Sequence, residues 1–367
     1  MAVARPKLRS RAGGAAVPLD EIDKRLMNLL QSRFPLAPEP FALVAAEGGI
    51  DLDEVKSRAQ RLLDERIIRE ITPIFDTRAL GYSSMLVAAK VDSDNPQRAA
   101  KIINSHPGVS HNYLRTHEFN LWFTIATAPD SKLGLEGTLE VLQRMTGAES
   151  IRQLPTLVLF KINMNLEMEQ GTEALATEVD AAPPRELEAQ PYDEVDVAVI
   201  RALQGPMQVT DRPYDDAAEQ AGMTTDAFLD HLRGMVDRKL LRRVAAILYH
   251  RRAGFSANGM GVWRVPEDGI LETGKRMAAV RGISHCYQRP TYPDWPYSVF
   301  TMAHGRSKQE CDAILDRIAD EHGLHGDDRG VLYSSTEFKK VRLHYFVDDY
   351  ARWEEDHAGV LEEATAR

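Results

Sequence analysis

The sequence predicts an α+β fold made by tandem duplication. Each copy joins a winged helix-turn-helix unit to a ferredoxin-like βαββαβ unit, and the copies are related by a pseudo-twofold axis. Self-similarity is the first reason for this prediction. LDEID at residues 19–23 returns as YDEVD at 192–196, and GVSHNYLR at 108–115 returns as GISHCYQR at 282–289, at offsets of 173 and 174 positions. The second reason is that each copy shows helical periodicity first and alternating strands and helices afterwards.

The first part of each copy has the periodicity of three helices and a strand. In copy one, Asp20 is placed to cap a helix with apolar residues at every third or fourth position, and prolines from Pro35 onward end it. Two more helices are expected at 41–47 and 52–65, followed by an alternating strand at 67–72. Copy two is expected to repeat these elements at 195–203, 214–221, 225–239 and 241–247.

The second part of each copy has the order βαββαβ, which gives a four-stranded antiparallel sheet with two helices on one face. In copy one we expect these elements at 83–91, 96–105, 109–115, 120–126, 132–146 and 156–165. In copy two we expect them at 257–265, 270–279, 283–289, 297–303, 308–322 and 330–346. The open face of each sheet is expected to pack against the sheet of the other copy.

These patterns divide the chain into seven segments. Between the copies lies an acidic stretch with few large apolar residues and two adjacent prolines, Pro183 and Pro184, which is typical of a linker. The predicted segments are a disordered tail (1–18), a winged helix-turn-helix (19–75), a ferredoxin-like domain (76–166), a linker (167–191), a second winged helix-turn-helix (192–248), a second ferredoxin-like domain (249–347), and a C-terminal tail or helix (348–367).

Composition indicates a cytoplasmic globular protein. The chain has 367 residues, a net charge of -10, 43% hydrophobic and 27% charged residues, which is unlike a disordered chain. No run of about eighteen apolar residues predicts a membrane span, and no apolar region follows the basic N-terminus as in a signal peptide. Two cysteines, Cys286 and Cys311, make neither a disulfide framework nor a CxxC zinc site.

The helix-turn-helix units have the wrong charge for reading DNA. Residues 19–70 hold eight Lys and Arg against eleven Asp and Glu, and residues 192–244 hold seven against ten. The third helices also open with acidic residues, such as Asp53 and Asp226, where a DNA reader gathers cations. We therefore expect packing and dimerisation units, and we do not expect nucleic acid as a partner.

The repeated Ser-His-x-Tyr-x-Arg motif is the strongest functional signal. His111, Tyr113 and Arg115 share one face of a strand, since side chains alternate, and the equivalent row in copy two is His285, Tyr287 and Arg289. If the two sheets face each other, both rows line a shared cavity. Aromatic walls are expected from Trp122, Trp295 and Tyr297. Aromatic surface and guanidinium groups together suit a large, flat anion.

Metal binding by the protein alone is not expected. Two histidines without neighbouring Cys or Asp ligands make a weak zinc site, whereas an iron already held in a macrocycle needs only one imidazole nitrogen. His111 and His285 therefore remain candidates either for ligands of such an iron or for acid–base groups.

Two segments resemble a known family. The stretch HPGVSHNYLR at 106–115, with NLWFT at 120–124, is similar to the siroheme decarboxylases, and GISHCYQRP at 282–290 with WPY at 295–297 is similar to the companion subunit of the same enzyme. The pairing of the two domain types looks like the AsnC/Lrp regulators. The resemblance covers residues 19–346 and implies a fused enzyme of the NirD–NirL type. Copy two departs from the pattern at 290–294, where copy one has His117, so the two sites need not be equivalent.

The resemblance implies removal of CO2 from the C12 and C18 acetates of siroheme, giving 12,18-didecarboxysiroheme on the route to heme d1. For this reaction we expect catalytic roles for His111, His117, His285 and Arg115; His111 or His117 would supply the proton, and His285 would be either the iron ligand or the equivalent acid. The remaining residues expected to bind substrate are Tyr113, Trp122, Tyr287, Arg289, Trp295, Tyr297, Arg78, Arg152, Lys161, Arg251, Arg252, His304, Arg306 and Lys340.

Other functions stay open at this point. No PLP, thiamine or flavin motif occurs, so no cofactor beyond the iron tetrapyrrole substrate is expected. Expected partners are siroheme, a second copy of the chain and heme d1 pathway enzymes, with no membrane. The alternatives are a ligand-responsive regulator of AsnC/Lrp type and a heme sensor or carrier, which would bind the ring without changing its mass.

Overall fold

A computed structural model gives the fold and describes residues 19–162, 189–249, 257–305, 307–357 and 359–361. The predicted tail at 1–18 and most of the predicted linker lie outside these ranges. Copy one contains α1 (Glu21–Ser32), α2 (Pro40–Gly48), α3 (Leu52–Asp64), β1 (Ile68–Phe75), β2 (Ser83–Lys90), α4 (Pro96–Ser105), β3 (Val109–Arg115), β4 (Leu121–Thr127), α5 (Gly134–Thr146), β5 (Ser150–Leu154) and β6 (Val158–Ile162). Copy two contains α6 (Glu194–Leu203), α7 (Asp215–Gln220), α8 (Thr225–Asp237), β7 (Leu241–Leu248), β8 (Ala257–Trp263), α9 (Ile270–Ala279), β9 (Ile283–Gln288), β10 (Val299–Gly305), α10 (Lys308–His322), β11 (Arg329–Lys340) and α11 (Asp349–His357).

Both copies begin with the same capping arrangement. Asp20 accepts a hydrogen bond from the backbone N–H of Asp23 at 2.8 Å, and Asp193 accepts one from Asp196 at 2.9 Å. In each of these capping boxes, side-chain carboxylates accept from backbone N–H groups that have no partner within the first turn of the helix. The expected helix starts are therefore confirmed.

The wings of the two helix-turn-helix units pair with each other. β1 and β7 form a two-stranded antiparallel sheet, and a carboxylate oxygen of Asp76 accepts from Nη2 of Arg242 at 2.6 Å. Buried apolar residues from both units belong to one core, which includes Leu30 and Leu232. The two units thus pack as one body, and each buries the face that the other leaves open.

The fourth strand of each copy crosses to the other copy. In β11, residues 329–333 pair with β8 of copy two, and residues 334–340 pair with β3 of copy one. In copy one, β5 pairs with β2 of its own copy, whereas β6 pairs with β9 of copy two. The order is β5-β2-β4-β3-β11-β8-β10-β9-β6, so the nine strands form one sheet. Only residues 155–157 separate its two end strands, which curls the sheet back on itself.

Two strands differ in the structure from their predicted bounds. The strand expected at 156–165 begins at Ser150 and is interrupted at Pro155, because proline has no backbone N–H for a ladder. The strand expected at 330–346 ends at Lys340. The two separate four-stranded sheets are also corrected to one continuous sheet, although their inner faces do pack together as expected.

The sheet has two distinct faces. One face packs against helices in two cores, one around Val109 and Phe123 and the other around Ile283 and Cys286. The opposite faces of the two halves meet in a third core with residues of both copies. Its members are Ala88, Phe119, Trp122, Leu154, Met260, Val262, Trp295, Phe300 and Leu332.

The helix at the C-terminal side lies on copy one. Trp353 of α11 is buried in the core of copy one, and its Nε1 donates to Oγ of Ser105 at 3.1 Å. The helix that we expected within 348–367 is thus found at its beginning. Among the described residues, none of the helices is long and apolar enough to cross a membrane.

Candidate functional site

Each motif forms a row on the inner face of the sheet. Strand alternation directs His111, Tyr113 and Arg115 inward, while Asn112 faces α4, where its Nδ2 donates to Oδ1 of Asn104 at 3.0 Å. The ring centroids of His111 and Tyr113 are 6.1 Å apart with an interplanar angle of 31°. In copy two the rings of His285 and Tyr287 are 6.0 Å apart at the same angle. The duplication therefore preserves the geometry of the two rows as well as their residues.

The arginine at the end of each row bonds to the fourth strand of the other copy. Arg115 donates from Nη1 to the backbone oxygen of Leu332 at 3.0 Å, and Arg289 donates from Nη1 to that of Leu154. Each guanidinium also lies over aromatic rings, and Arg115 is 5.7 Å from the centroid of Trp122. Each row is thereby bonded to a strand of the other copy, the first to β11 and the second to β5.

Arg289 is buried and Arg115 is half-buried, and neither has a counter-ion among the described residues. Within the described ranges no carboxylate lies at ion-pair distance from either guanidinium, and both Nε atoms are buried without a hydrogen-bond acceptor. Burial lowers the pKa of Arg115 and Arg289 to about 10, so both remain charged at neutral pH. A buried charge of this kind is costly unless something pairs with it, and a ligand carboxylate would do so.

The imidazole of His111 is held neutral. Oγ of Ser110 lies 3.0 Å from Nδ1 and 2.7 Å from Oγ1 of Thr124, so two hydroxyl groups orient the ring. Burial, with nearby Lys340 and Arg69, lowers the pKa of His111 to about 4. In copy two, Oγ of Ser284 lies 2.7 Å from Nδ1 of His285. A neutral imidazole with an oriented ring can ligate a metal or take part in proton transfer.

The expected aromatic walls are instead a packed core. Trp122 and Trp295 are 1% and 0% exposed, and their ring centroids are 5.2 Å apart. Trp295 arrives there because the loop at 290–296 of copy two folds across copy one, where Asp294 pairs with Arg152 at 2.7 Å. This placement corrects the expectation that both tryptophans line an open cavity. It also gives Arg152 a protein carboxylate as its partner.

His117 belongs to this aromatic core. Its Nδ1 accepts from the backbone N–H of Phe119 at 3.0 Å, and its ring centroid is 5.2 Å from that of Trp295. Burial lowers the pKa of His117. Tyr297, 5.0 Å from Trp295 between ring centroids, lies at the edge of the same cluster.

Comparison with known proteins decides the family. A family model described as AsnC-like ligand binding domain matches residues 79–161 and 252–339, and one described as siroheme decarboxylase NirDL-like HTH domain matches 23–69 and 196–242. A protein from Hydrogenobacter thermophilus named siroheme decarboxylase is 37% identical over 334 residues, which are 91% of this chain and 97% of that protein. The chain belongs to the siroheme decarboxylase family.

Further members of the siroheme decarboxylase family agree. The siroheme decarboxylase NirDL subunit of Paracoccus denitrificans is 31% identical over 327 residues, which are 88% of this chain and 96% of that protein. The crystal structure of a siroheme decarboxylase NirDL matches with a TM-score of 0.74 and 32% identity over 93% of this chain and 100% of that one, and so does its complex with an iron-uroporphyrin III analogue. The predicted resemblance, the fold class and the expectation of an enzyme are confirmed.

The cations that the siroheme decarboxylase resemblance suggested are scattered. Lys161 faces the helices and donates from Nζ to the backbone oxygen of Ala278 at 3.0 Å, so it points away from His285. Lys340 does lie next to a row, opposite His111 in the ladder. His304 lies on β10 opposite Asn258. Arg78 sits in the turn before β2, and Arg251, Arg252 and Arg306 lie outside the described residues.

Arg69 is a neighbour of the site that sequence reasoning missed. It lies on the wing β1, and its Nη2 donates to the backbone oxygen of Lys340 at 3.3 Å. It recurs in the second wing as Arg242, 173 positions later, and this repeat is the signal in the sequence that points to it.

Two other features lie away from the rows. A cavity of about 740 Å³ opens between α6, α7 and the segment at 344–352. Among the described residues, no group of three or more His, Cys, Asp or Glu side chains could hold a metal ion.

Proposed function

We propose that this protein is a siroheme decarboxylase that removes CO2 from the C12 and C18 acetates of siroheme, giving 12,18-didecarboxysiroheme for heme d1 biosynthesis. The observation that carries the proposal is the pair of rows, each with an oriented imidazole and an arginine whose Nε is buried and which has no carboxylate partner among the described residues. They occur in a chain that is 37% identical to a protein named siroheme decarboxylase.

Charge supports a polyanionic ligand at the rows. The chain has a net charge of -10 and would repel such a ligand as a whole. Arg115 and Arg289 are positive charges within this acidic chain, and neither guanidinium has a carboxylate to neutralise it in the part of the chain that the structure describes. A charge-assisted bond between one of them and a ligand carboxylate contributes about 1.5–3 kcal/mol.

The proposed reaction balances without an oxidant or reductant. The bond between the acetate methylene and its carboxylate carbon breaks, CO2 leaves, and the electron pair stays on the methylene carbon. The tetrapyrrole delocalises that pair, and one proton then converts the methylene to a methyl group. Two such steps consume two protons and release two CO2. The protein must hold the macrocycle, keep water from the leaving carboxylate and deliver a proton.

The low pKa of His111 limits the roles that its imidazole can have in the reaction. With a pKa of about 4, only about one imidazole in a thousand is protonated at pH 7, so the ring is a poor standing acid. The hydroxyl of Ser110 beside Nδ1 allows two tautomers. If Nδ1 donates to that hydroxyl, Nε2 offers a lone pair to the substrate iron. If Nδ1 accepts, Nε2 carries a proton that it can pass on and recover. His285, with Ser284, is proposed for the complementary role.

The helix-turn-helix units are proposed to be structural. The arginines of α3 point inward, where Nη1 of Arg58 lies 2.8 Å from Oδ1 of the buried Asp23 and Arg61 pairs with the same oxygen. In copy two, Arg238 pairs with the buried Asp196 at 2.6 Å. These three arginines are therefore already paired with carboxylates and are not available to a phosphate backbone. The outer face of each third helix is acidic. Self-association and contacts with heme d1 pathway enzymes remain predictions.

An anaerobic turnover experiment tests the proposal. Purified protein is given siroheme, and the tetrapyrrole is followed by mass spectrometry for the loss of two CO2. His111→Ala and His285→Ala should each lose turnover while the fold survives, whereas the exposed His325→Ala serves as the matched control and should keep it. Binding of siroheme without any change in mass would make the protein a carrier or sensor instead. Sequence-specific retardation of the chain's own upstream DNA at physiological salt would favour the regulator.

A further inference from the structure

A cationic surface from the helix-turn-helix unit lies beside the row of copy one. β1 brings Arg69 to the end of β11, where its Nη2 donates to the backbone oxygen of Lys340 at 3.3 Å. Lys340 in turn lies opposite His111 in the β3–β11 ladder. The next residue, Val341, donates its backbone N–H to the backbone oxygen of Ser110 at 2.8 Å, which fixes this end of β11 against the row. A wing residue and a sheet residue therefore meet next to the imidazole.

The charges of this surface do not cancel. Glu70 is the acid of the cluster, and it is shared by Arg342 at 3.1 Å and Arg69 at 3.5 Å. Lys340 has no carboxylate at ion-pair distance among the described residues, and its side chain is exposed. Three cations thus face one carboxylate, an excess of two positive charges in a chain whose net charge is -10. A cationic excess beside a ligand site attracts anionic groups of that ligand.

We propose that Arg69 and Lys340 form a carboxylate-binding subsite beside His111, here called the wing subsite, which holds one carboxylate side chain of the tetrapyrrole. The inference rests on the proposed function, because it assigns a further contact to the same substrate. Arg69 supplies a planar guanidinium that can bind a carboxylate through two N–H groups, and Lys340 supplies a mobile ammonium. One side chain of the wing then takes part in substrate binding, in addition to the packing role proposed for the helix-turn-helix unit.

The wing subsite is not repeated in full beside His285. The residue opposite His285 in the β6–β9 ladder is Ile162, where copy one has Lys340 opposite His111. Arg242 holds the wing position equivalent to Arg69, at the offset of 173 that relates β1 to β7, and its Nη2 pairs with Asp76 at 2.6 Å. An apolar side chain in the ladder position cannot bind a carboxylate. We therefore assign the subsite to the row of copy one.

Spectral titration with an iron porphyrin tests the subsite directly. Iron uroporphyrin III is added to wild type, Arg69→Gln and Lys340→Gln, and binding is followed by the change in its Soret band. Each substitution should raise Kd about tenfold, the loss of one charge-assisted contact. Arg69→Lys keeps the charge and should recover most of the affinity. Arg242→Gln, at the equivalent position of copy two, is the matched control and should bind like wild type.

A second ligand identifies which carboxylate is bound. Iron coproporphyrin III has methyl groups where iron uroporphyrin III has acetates, and both carry propionates. If the wing subsite binds an acetate, wild type and Arg69→Gln should bind iron coproporphyrin III with equal Kd. If it binds a propionate, Arg69→Gln should still raise the Kd for iron coproporphyrin III about tenfold. Equal Kd values for wild type, Arg69→Gln and Lys340→Gln with iron uroporphyrin III would refute the subsite, and so would an equal loss of affinity in Arg242→Gln.

The failure of the proposed function gives a different pattern. Wild type that binds iron uroporphyrin III but leaves siroheme unchanged would refute the decarboxylase, while a loss of affinity in Arg69→Gln would still support the subsite. Wild type that turns over siroheme, with unaltered binding in both subsite variants, would refute the subsite alone. Thermal unfolding of each variant separates lost contacts from a lost fold, and a variant that fails to fold is replaced by Arg69→Met or Lys340→Met, which also remove the charge.

Discussion

Replacing Arg115 by methionine separates its cost to the fold from its use in binding. Burial lowers the pKa of its guanidinium from 12.5 to about 10, which corresponds to about 3 kcal/mol against the charged form at neutral pH. The folded pKa lies below the unfolded one, so this cost is present at every pH below about 10. The bond to the Leu332 oxygen and the contact with Trp122 offset about 2–3 kcal/mol of it.

The methionine variant should therefore be no less stable than wild type. We expect its free energy of unfolding in urea to rise by between nothing and about 1 kcal/mol, since methionine fills a similar volume without a charge. Its affinity for iron uroporphyrin III should fall at least about tenfold, because the buried cation available to a ligand carboxylate is gone.

Arg238→Met is the contrasting control. Arg238 is partly exposed, but it pairs at 2.6 Å with Asp196, whose side chain is 0% exposed. Removing it leaves a buried carboxylate with fewer partners and should lower the free energy of unfolding by about 2–3 kcal/mol. The reasoning on Arg115 would be refuted if Arg115→Met lost more than about 2 kcal/mol, as this control should, or if it bound the porphyrin as tightly as wild type.

Three further predictions concern His111, the aromatic core and the hydroxyl groups beside His111. The pKa of His111 is lowered from 6.5 to about 4, so the unfolded chain binds the proton first and the free energy of unfolding should fall by up to about 3 kcal/mol as the pH drops from 6.5 to 4. His111→Gln should flatten that part of the pH profile in urea titrations, and an unchanged profile would contradict the assignment. Trp295→Ala should cost about 3–5 kcal/mol of unfolding free energy, because the ring is fully buried between the two copies, and a loss below 1 kcal/mol would show that the loop at 290–296 does not pack as described. Thr124→Val removes a hydroxyl from the pair that orients His111 and should lower kcat for siroheme about tenfold while Kd for iron uroporphyrin III stays constant; a change in Kd alone would refute a positioning role.

Much of the fold could be predicted because the relevant signals are local and occur twice. The capping boxes at Asp20 and Asp193 need only residues three positions apart. The inward rows follow from strand alternation, which places His111 and Arg115 on one face whatever the neighbours are. The same patterns recur 173 or 174 positions later, so the elements of one copy support the prediction of those in the other.

The remaining features depend on residues that meet only in the folded chain. Pro155 interrupts a strand, but nothing local indicates that the ladder moves from β2 to β9 at that point. Lys161 follows a register shift in β6, and for that reason it faces the helices. Trp295 is predicted to line an open cavity because the sequence does not show that its ring packs against Trp122 of the other copy. Arg69 was missed because its neighbour in space, Lys340, is 271 positions away in sequence.

The crossing of β11 has a consequence for synthesis on the ribosome. Arg115 and Ser334 are neighbours in the ladder but are 219 positions apart in sequence. At a translation rate of about 5–20 residues per second, β3 therefore waits roughly 10–40 seconds before its last neighbour is made. During that time its edge offers unpaired backbone groups to any other nascent chain. Because both copies belong to one polypeptide, β11 is made already tethered close to the edge of β3. The tether shortens the time during which that edge can pair with another chain.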